Sequence, residues 1–407
     1  MKKAAALGLA FCLLLTACGQ QKVPSSETEK SSASVESASL NTERINEPSV
    51  QETEPAKQSK DLHPEMRLQS AIYTGFIETE DVIYYYNWMK KRIYFSVDNG
   101  SHFYPLCSKA NCSHSDENCT ASGNSLTYFE GSLYTIRFDS EANLFQLVRI
   151  SPDGTDQWVF RTVPFPGGGS FKYDFHNGKA FIYYHPSLTY PLEEQKTRLF
   201  VIDLVSEEMT EPLTELLQYG ESIQQFHFFQ NTLAVEVSGV NIYTGIEQPR
   251  ICCIDMNTWN YQEYVQGEYV YANYIDDENL YFYKSSNLLD LSTHPSLKAG
   301  FYKINRETGE CVCLLETGAY LHAIYDEDYI YATSLHTDKD MQHHTLHIYN
   351  RNYELVDQKE LNKYEYLVYV SSERLFFSRW YDGGGIYSYA EKSDIGSGDM
   401  PIYDVNK

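Results

Sequence analysis

Beyond one short leader, no stretch of this 407-residue chain is apolar for long enough to cross a bilayer as a helix. A hydrocarbon core of about 30 Å needs roughly 20 apolar residues, and Ala4 to Leu14 supplies only about eleven. Basic residues are scarce too: 32 Lys and Arg face 56 Asp and Glu, a formal net charge of −24. Nucleic acid is therefore not expected as a partner, because phosphate binding depends on neutralisation by Lys and Arg. Helical periodicity is missing, which argues against helical repeats. There is no Gly-x-Ser-x-Gly elbow and no His-Glu-x-x-His pair. The runs Gly167-Gly168-Gly169 and Asp382-Gly383-Gly384-Gly385 lack the strand–loop–helix context of a phosphate loop and read as turns. Carboxylates are too numerous for a pair to be singled out, so no catalytic residue is assigned.

What is present begins with an address. Met1-Lys2-Lys3 gives a positive start, the apolar run follows, and Leu15-Thr16-Ala17-Cys18-Gly19 ends it with small residues before a cysteine. This resembles the lipobox of bacterial lipoproteins. The resemblance implies a signal peptide over 1–17, acylation of Cys18 as the new N-terminus and a lipid anchor on the outer face of the cell membrane. From Gly19 to about His63, Ser, Glu, Thr, Gln, Asn and Lys dominate, Pro24, Pro48 and Pro55 interrupt, and no aromatic residue occurs before Tyr73. Such a segment cannot bury enough apolar surface to offset its ordering entropy. We read 18–67 as the lipidated cysteine and a disordered tether with a random-coil reach of about 35–40 Å, and 68–407 as the folded part.

The folded part is rich in Tyr, Phe and β-branched residues, and it repeats. An apolar strand led by Asn, Asp or Gly recurs as Asp81-Val82-Ile83-Tyr84-Tyr85, Gly131-Ser132-Leu133-Tyr134, Gly178-Lys179-Ala180-Phe181, Asn231-Thr232-Leu233, Asn279-Leu280-Tyr281-Phe282, Asp328-Tyr329-Ile330-Tyr331 and Glu373-Arg374-Leu375-Phe376. The spacing is about 45–53 residues, the size of a propeller blade. A second strand follows each first one and commonly runs into Asp or Asn, as in Val97-Asp98, Ile202-Asp203, Ile254-Asp255, Ile304-Asn305 and Tyr349-Asn350. Both markers give seven units. Each is a four-stranded antiparallel meander with two apolar faces that only neighbours can cover, so stacking round an axis follows. The expectation is an all-β, seven-bladed propeller, with six or eight blades if one end is irregular. Met400-Pro401-Ile402-Tyr403 is the expected closing outer strand, and the propeller is expected to be monomeric.

One segment is chemically distinctive: Cys107-Ser108-Lys109-Ala110-Asn111-Cys112-Ser113-His114-Ser115-Asp116-Glu117-Asn118-Cys119. Three thiolates and one imidazole, Cys107, Cys112, His114 and Cys119, satisfy a tetrahedral structural zinc site with no open position for catalysis. The alternative is a disulfide-stapled loop in an exported protein. Nine cysteines less Cys12 and Cys18 leave seven, an odd number that cannot all pair within one chain. Cys252 and Cys253 are adjacent and should face opposite ways along a strand. Cys311 and Cys313 share a face, and all four are expected to be buried hydrophobic thiols. His336, His343, His344 and His347 are expected to be solvated rather than metal-binding.

Lipobox, Ser/Glu tether and Tyr-rich blades together resemble the propeller lipoproteins of Gram-positive bacteria, which are compared with low-density-lipoprotein-receptor and TolB-like propellers. A similar Cys…Cys-x-His…Cys stretch follows the first blade in that family. The receptor-type Tyr-Trp-Thr-Asp signature is absent here, so a receptor-like ligand mode is not implied. The resemblance implies a fold and a location without an activity. The function expected is a membrane-anchored binding or scaffold propeller for a protein, peptide or glycan. The alternatives are a polysaccharide-active propeller enzyme (glycosidase or lyase) and an accessory subunit of an envelope sensor or transporter. Connections between the second and third strands of a unit lengthen at His185–Arg198, Ser238–Arg250, Ser285–Ala299 and His336–His344, which marks one face, including Leu288–His294, as the expected binding face.

Overall fold

A computed structural model describes residues 75–115, 119–139, 141–165, 168–187, 197–212, 217, 221–239, 249–266, 270–284, 298–316, 320–338, 341–362, 365–379 and 385–405. The leader, Cys18, the tether and Leu288–His294 lie outside them. Among the described residues no helix is long and apolar enough to cross a membrane.

The strands form seven four-stranded antiparallel sheets, each a meander of four consecutive strands. This is the seven-bladed propeller expected from the repeats. The second strands are Ile83–Asn87, Ser132–Asp139, Lys179–Pro186, Thr232–Gly239, Asn279–Lys284, Tyr329–Asp338 and Arg374–Arg379, so the first sequence marker falls on the second strand of every blade. Seven apolar clusters hold the ring, one between each pair of neighbouring blades and one between the last and the first. Cys252 and Cys253 show the division. Both are buried in one strand, Cys252 packs towards blade 3 and Cys253 towards blade 5.

The second marker has a local cause. Where the third strand ends in Asp or Asn, the side-chain oxygen accepts backbone N–H groups of the next turn: Asp203 Oδ1 from Val205 and Ser206 at 3.0 and 2.9 Å, Asn305 Oδ1 from Glu307 and Thr308 at 3.1 and 2.9 Å. Such Asx turns aim the chain back into the outer strand. The Ser206 N–H above all lowers the Asp203 carboxyl, and that of Asn257 lowers Asp255. Burial works against this at Asp98, but hydrogen bonds involving Ser96 and His102 bring it down to about 2. Folded values below the unfolded value of about 3.9 mean stability that is complete above that pH and is lost as pH falls through the folded values. The thermal midpoint should therefore fall on acidification from pH 5 towards 2, and the fall should be shallower in Asp203→Asn, which keeps the acceptor. Identical pH slopes for the two proteins would refute the assignment.

Among the described residues no strand is shared between the first and last blades, and each sheet is contiguous in sequence. The seam is closed by side chains instead. Phe76 stacks on Tyr369 with centroids 3.5 Å apart, and Phe376 lies 5.3 Å from Phe76 and 6.2 Å from Phe103. Arg374 donates to the Asn99 carbonyl at 2.5 Å and Ser101 Oγ at 3.0 Å, while the Ser372 N–H donates to Glu78 at 2.9 Å. Gly100 sits at φ +80°, where a Cβ would come within 2.5 Å of Phe376, so this turn requires glycine.

Three expectations are corrected. The closing outer strand is Tyr403–Asp404, and Met400 is buried in the cluster between blades 6 and 7 instead of in the ladder. His336–His344 is not a long connection: strands Tyr329–Asp338 and Met341–Asn350 pair throughout, with His336 opposite His343. Here period-2 strand pairing overrode a polar sequence. Cys311 and Cys313 are exposed, because their strand, Cys311–Glu316, is the outer edge of blade 5.

Candidate metal centre and binding face

The Cys/His segment connects the outer strand of blade 1, Tyr104–Pro105, to the inner strand of blade 2, Thr127–Phe129. It is built inwards. Leu106, Cys119 and Ala121 are at most 1% exposed and plug the interface between the two blades beside Ile93, Leu133 and Val148. The backbone is clamped at both ends: the Leu106 N–H donates to Ile93 O at 2.9 Å and the Ile93 N–H to Ala121 O at 2.7 Å. His114 adopts φ +54°, which turns the chain back over the sulfurs.

Cys107, Cys112, His114 and Cys119 come together, with one donor atom from each lying within 4.8 Å of all the others. Cys119 Sγ is 3.5 Å from His114 Nδ1. Zinc bonds of about 2.3 Å to sulfur and 2.0–2.1 Å to nitrogen would set tetrahedral edges of about 3.5–3.8 Å, so this pair already stands at the required separation. Three thiolates around a divalent ion leave one net negative charge, and two arginines stand beside the loop. Buried Arg92 donates through Nε to His114 O at 2.5 Å, and Arg137 donates to Ser122 O at 3.0 Å and Cys119 O at 3.4 Å. Burial pushes the Cys119 thiol up to about 12. Burial also raises Cys107, but the Lys109 N–H and the neighbouring thiols outweigh it and leave that thiol lowered. The residue set fits a closed four-ligand centre. All seven described cysteines are free thiols.

Sequence reasoning singled out the four residues of this cluster but not the arginines. Arg92 opens a strand of blade 1 and Arg137 lies within one of blade 2, and neither has a local signal. Of the histidines of blade 6, His344 and His347 have separate partners. His344 Nδ1 meets the Glu365 carbonyl at 2.6 Å and His347 Nε2 meets Ser334 Oγ at 3.0 Å. His344 is buried, contrary to the expectation of a solvated side chain, and burial lowers its pKa.

Three of the connections expected to form the binding face run largely through undescribed residues. A shallow, half-open cleft adjoins that end of the ring at the seam, among Phe76, Tyr85, Tyr86, Tyr369, Ser378 and Gly385. Its described walls are aromatic and carry no charged side chain, and the buried Ser378 Oγ has no protein hydrogen-bond partner.

No protein-family model and no curated protein matches this sequence. Solved structures do. A structure of prolyl endopeptidases is similar with a TM-score of 0.54 and 10% identity over 86% of this chain and 53% of that one. The tricorn protease gives 0.52 and 12% over 83% and 35%. The β-propeller domain of the Trilobed protease from Pyrococcus furiosus gives 0.46 and 11% over 82% and 96%. The chain thus spans about half or less of the two proteases of highest similarity among these, and identities this low show the fold alone: a seven-bladed β-propeller resembling protease propeller domains.

Proposed function

We propose that this protein is a binding propeller, held on the outer face of the cell membrane through Cys18, whose ligand docks at the end of the ring where the second and third strands connect. The cleft at the seam carries this reading. It is a shallow recess and not an enclosed pocket, but its aromatic walls suit the face of one apolar ring, and Ser378 Oγ offers one hydrogen bond. The described lining carries no charge, which favours a neutral group such as a glycan unit or an uncharged peptide side chain. The test is binding to a panel of neutral glycans, anionic glycans and peptides. Ser378→Ala, which removes only a hydroxyl without a protein partner, should lose about tenfold on whichever neutral probe binds, with unchanged unfolding. Equal binding by both proteins, or binding of anionic probes alone, would refute it.

The reading includes a structural zinc held by Cys107, Cys112, His114 and Cys119, supported by their convergence beside two arginines. Zinc there would supply crosslinking of the loop, not chemistry, because all four positions are taken by the protein. Native mass spectrometry of protein purified without chelator should show one zinc per chain that is lost on denaturation. A metal-free mass lowered by two protons would mean a disulfide instead.

A further inference from the structure

Three of the seven cysteines belong to the loop and two are buried, which leaves Cys311 and Cys313. Both are exposed on the outer strand of blade 5, Cys311–Glu316, whose far side pairs with no other described strand. Edge strands invite pairing with another chain unless they are short, charged or broken by proline. The outer strands of blades 1, 3 and 7 are two residues long, and that of blade 6 reads Leu-Val-Asp-Gln-Lys-Glu. Blade 5 instead offers Cys-Val-Cys-Leu-Leu before its first charge at Glu316, with Val312 exposed. A bulge at Leu314 ends the regular stretch.

We infer that this edge is a self-pairing surface on which two copies of the chain join through paired disulfides. The spacing of the thiols supplies the complementarity. In an antiparallel pairing centred on Val312, each Cys311 stands opposite Cys313 of the second copy, and both pairs lie on one face. Directly opposed residues in such a ladder have Cα atoms about 4.5 or 5.5 Å apart, within the 4.4–6.8 Å or so that a disulfide spans. Three or four ladder residues bury too little to hold two chains carrying −24 each, so the reduced protein is monomeric and the covalent bonds make the dimer. Each bond forms by oxidation of two thiols. With disulfide glutathione as oxidant, two bonds consume two oxidant molecules, and their electrons and the four thiol protons leave as four glutathione thiols. Formation in the cell rests on the extracytoplasmic reading; formation by purified protein does not.

The test uses full-length protein incubated with disulfide glutathione and run under denaturing, non-reducing conditions. Wild type should give a species of twice the monomer mass that reverts with dithiothreitol, and raising the salt should speed its formation by screening the mutual repulsion. Cys311→Ser and Cys313→Ser should each abolish it, because in this register every remaining thiol faces a serine. Mixing the two variants should restore it, since Cys313 of one then faces Cys311 of the other. Crosslinking by either variant alone, failure of the mixture, a wild type that stays monomeric, or a monomer two protons lighter through a Cys311–Cys313 bond would each overturn the proposal.

Discussion

Replacing Cys119 by serine is expected to abolish metal retention and to lower the thermal midpoint by several degrees. Cys119 is both a member of the four-donor cluster and a 1%-exposed plug between blades 1 and 2. Structural zinc contributes about 10–16 kcal/mol in peptides that fold only around it. Here the loop is already pinned by backbone bonds and by two arginines, so only part of that energy appears as global stability. Unfolding entropy of about 2.1 cal/mol/K per residue means that 1 kcal/mol moves the midpoint of a propeller this size by only about 1–2 °C. A loss of 3–5 kcal/mol therefore reads as about 4–8 °C. Cys112→Ser is the companion, since Cys112 is only half-buried. It should lose the same one zinc per chain with a smaller fall in midpoint, and both variants should become open to proteolysis between Cys107 and Cys119. A metal-free wild type, or variants that keep the zinc, would refute the closed centre.

Phe376→Ala should destabilise the ring by about 3–5 kcal/mol, the usual cost of removing a buried phenylalanine. The side chain is 0% exposed and touches the rings of Phe76, Phe103, Tyr369 and Tyr389. Two of these, Phe76 and Phe103, come from the first blade. Among the described strands no backbone ladder crosses the seam, so the loss falls on the contact that closes the circle. Phe282→Ala is the control, equally buried but between blades 4 and 5. Both should unfold earlier in urea. Only Phe376→Ala should also speed hydrogen exchange in strands Phe76–Glu78 and Glu365–Val370 below the unfolding transition. Equal exchange in the two variants would mean that the seam is no weaker than the other blade junctions.

The period of the Asp/Asn-terminated and Asn/Gly-led strands determined the architecture without help, because both markers are local. An Asx turn needs only the residues that make it, and a meander needs only alternating apolar strands and tight turns. The four-donor cluster of the loop was legible for the same reason: its residues lie within one short segment. What the sequence could not place depends on residues far apart in the chain. Arg92 reaches a loop carbonyl twenty-two positions on. Phe76 meets Tyr369 only because seven blades close a circle. Cys311 and Cys313 look like core thiols in an apolar strand, and only their place at the outer edge of the fourth-strand ring exposes them. Local hydrogen bonding and hydrophobic alternation are written residue by residue, whereas burial, closure and the identity of an edge are properties of the ring and exist only once it has formed.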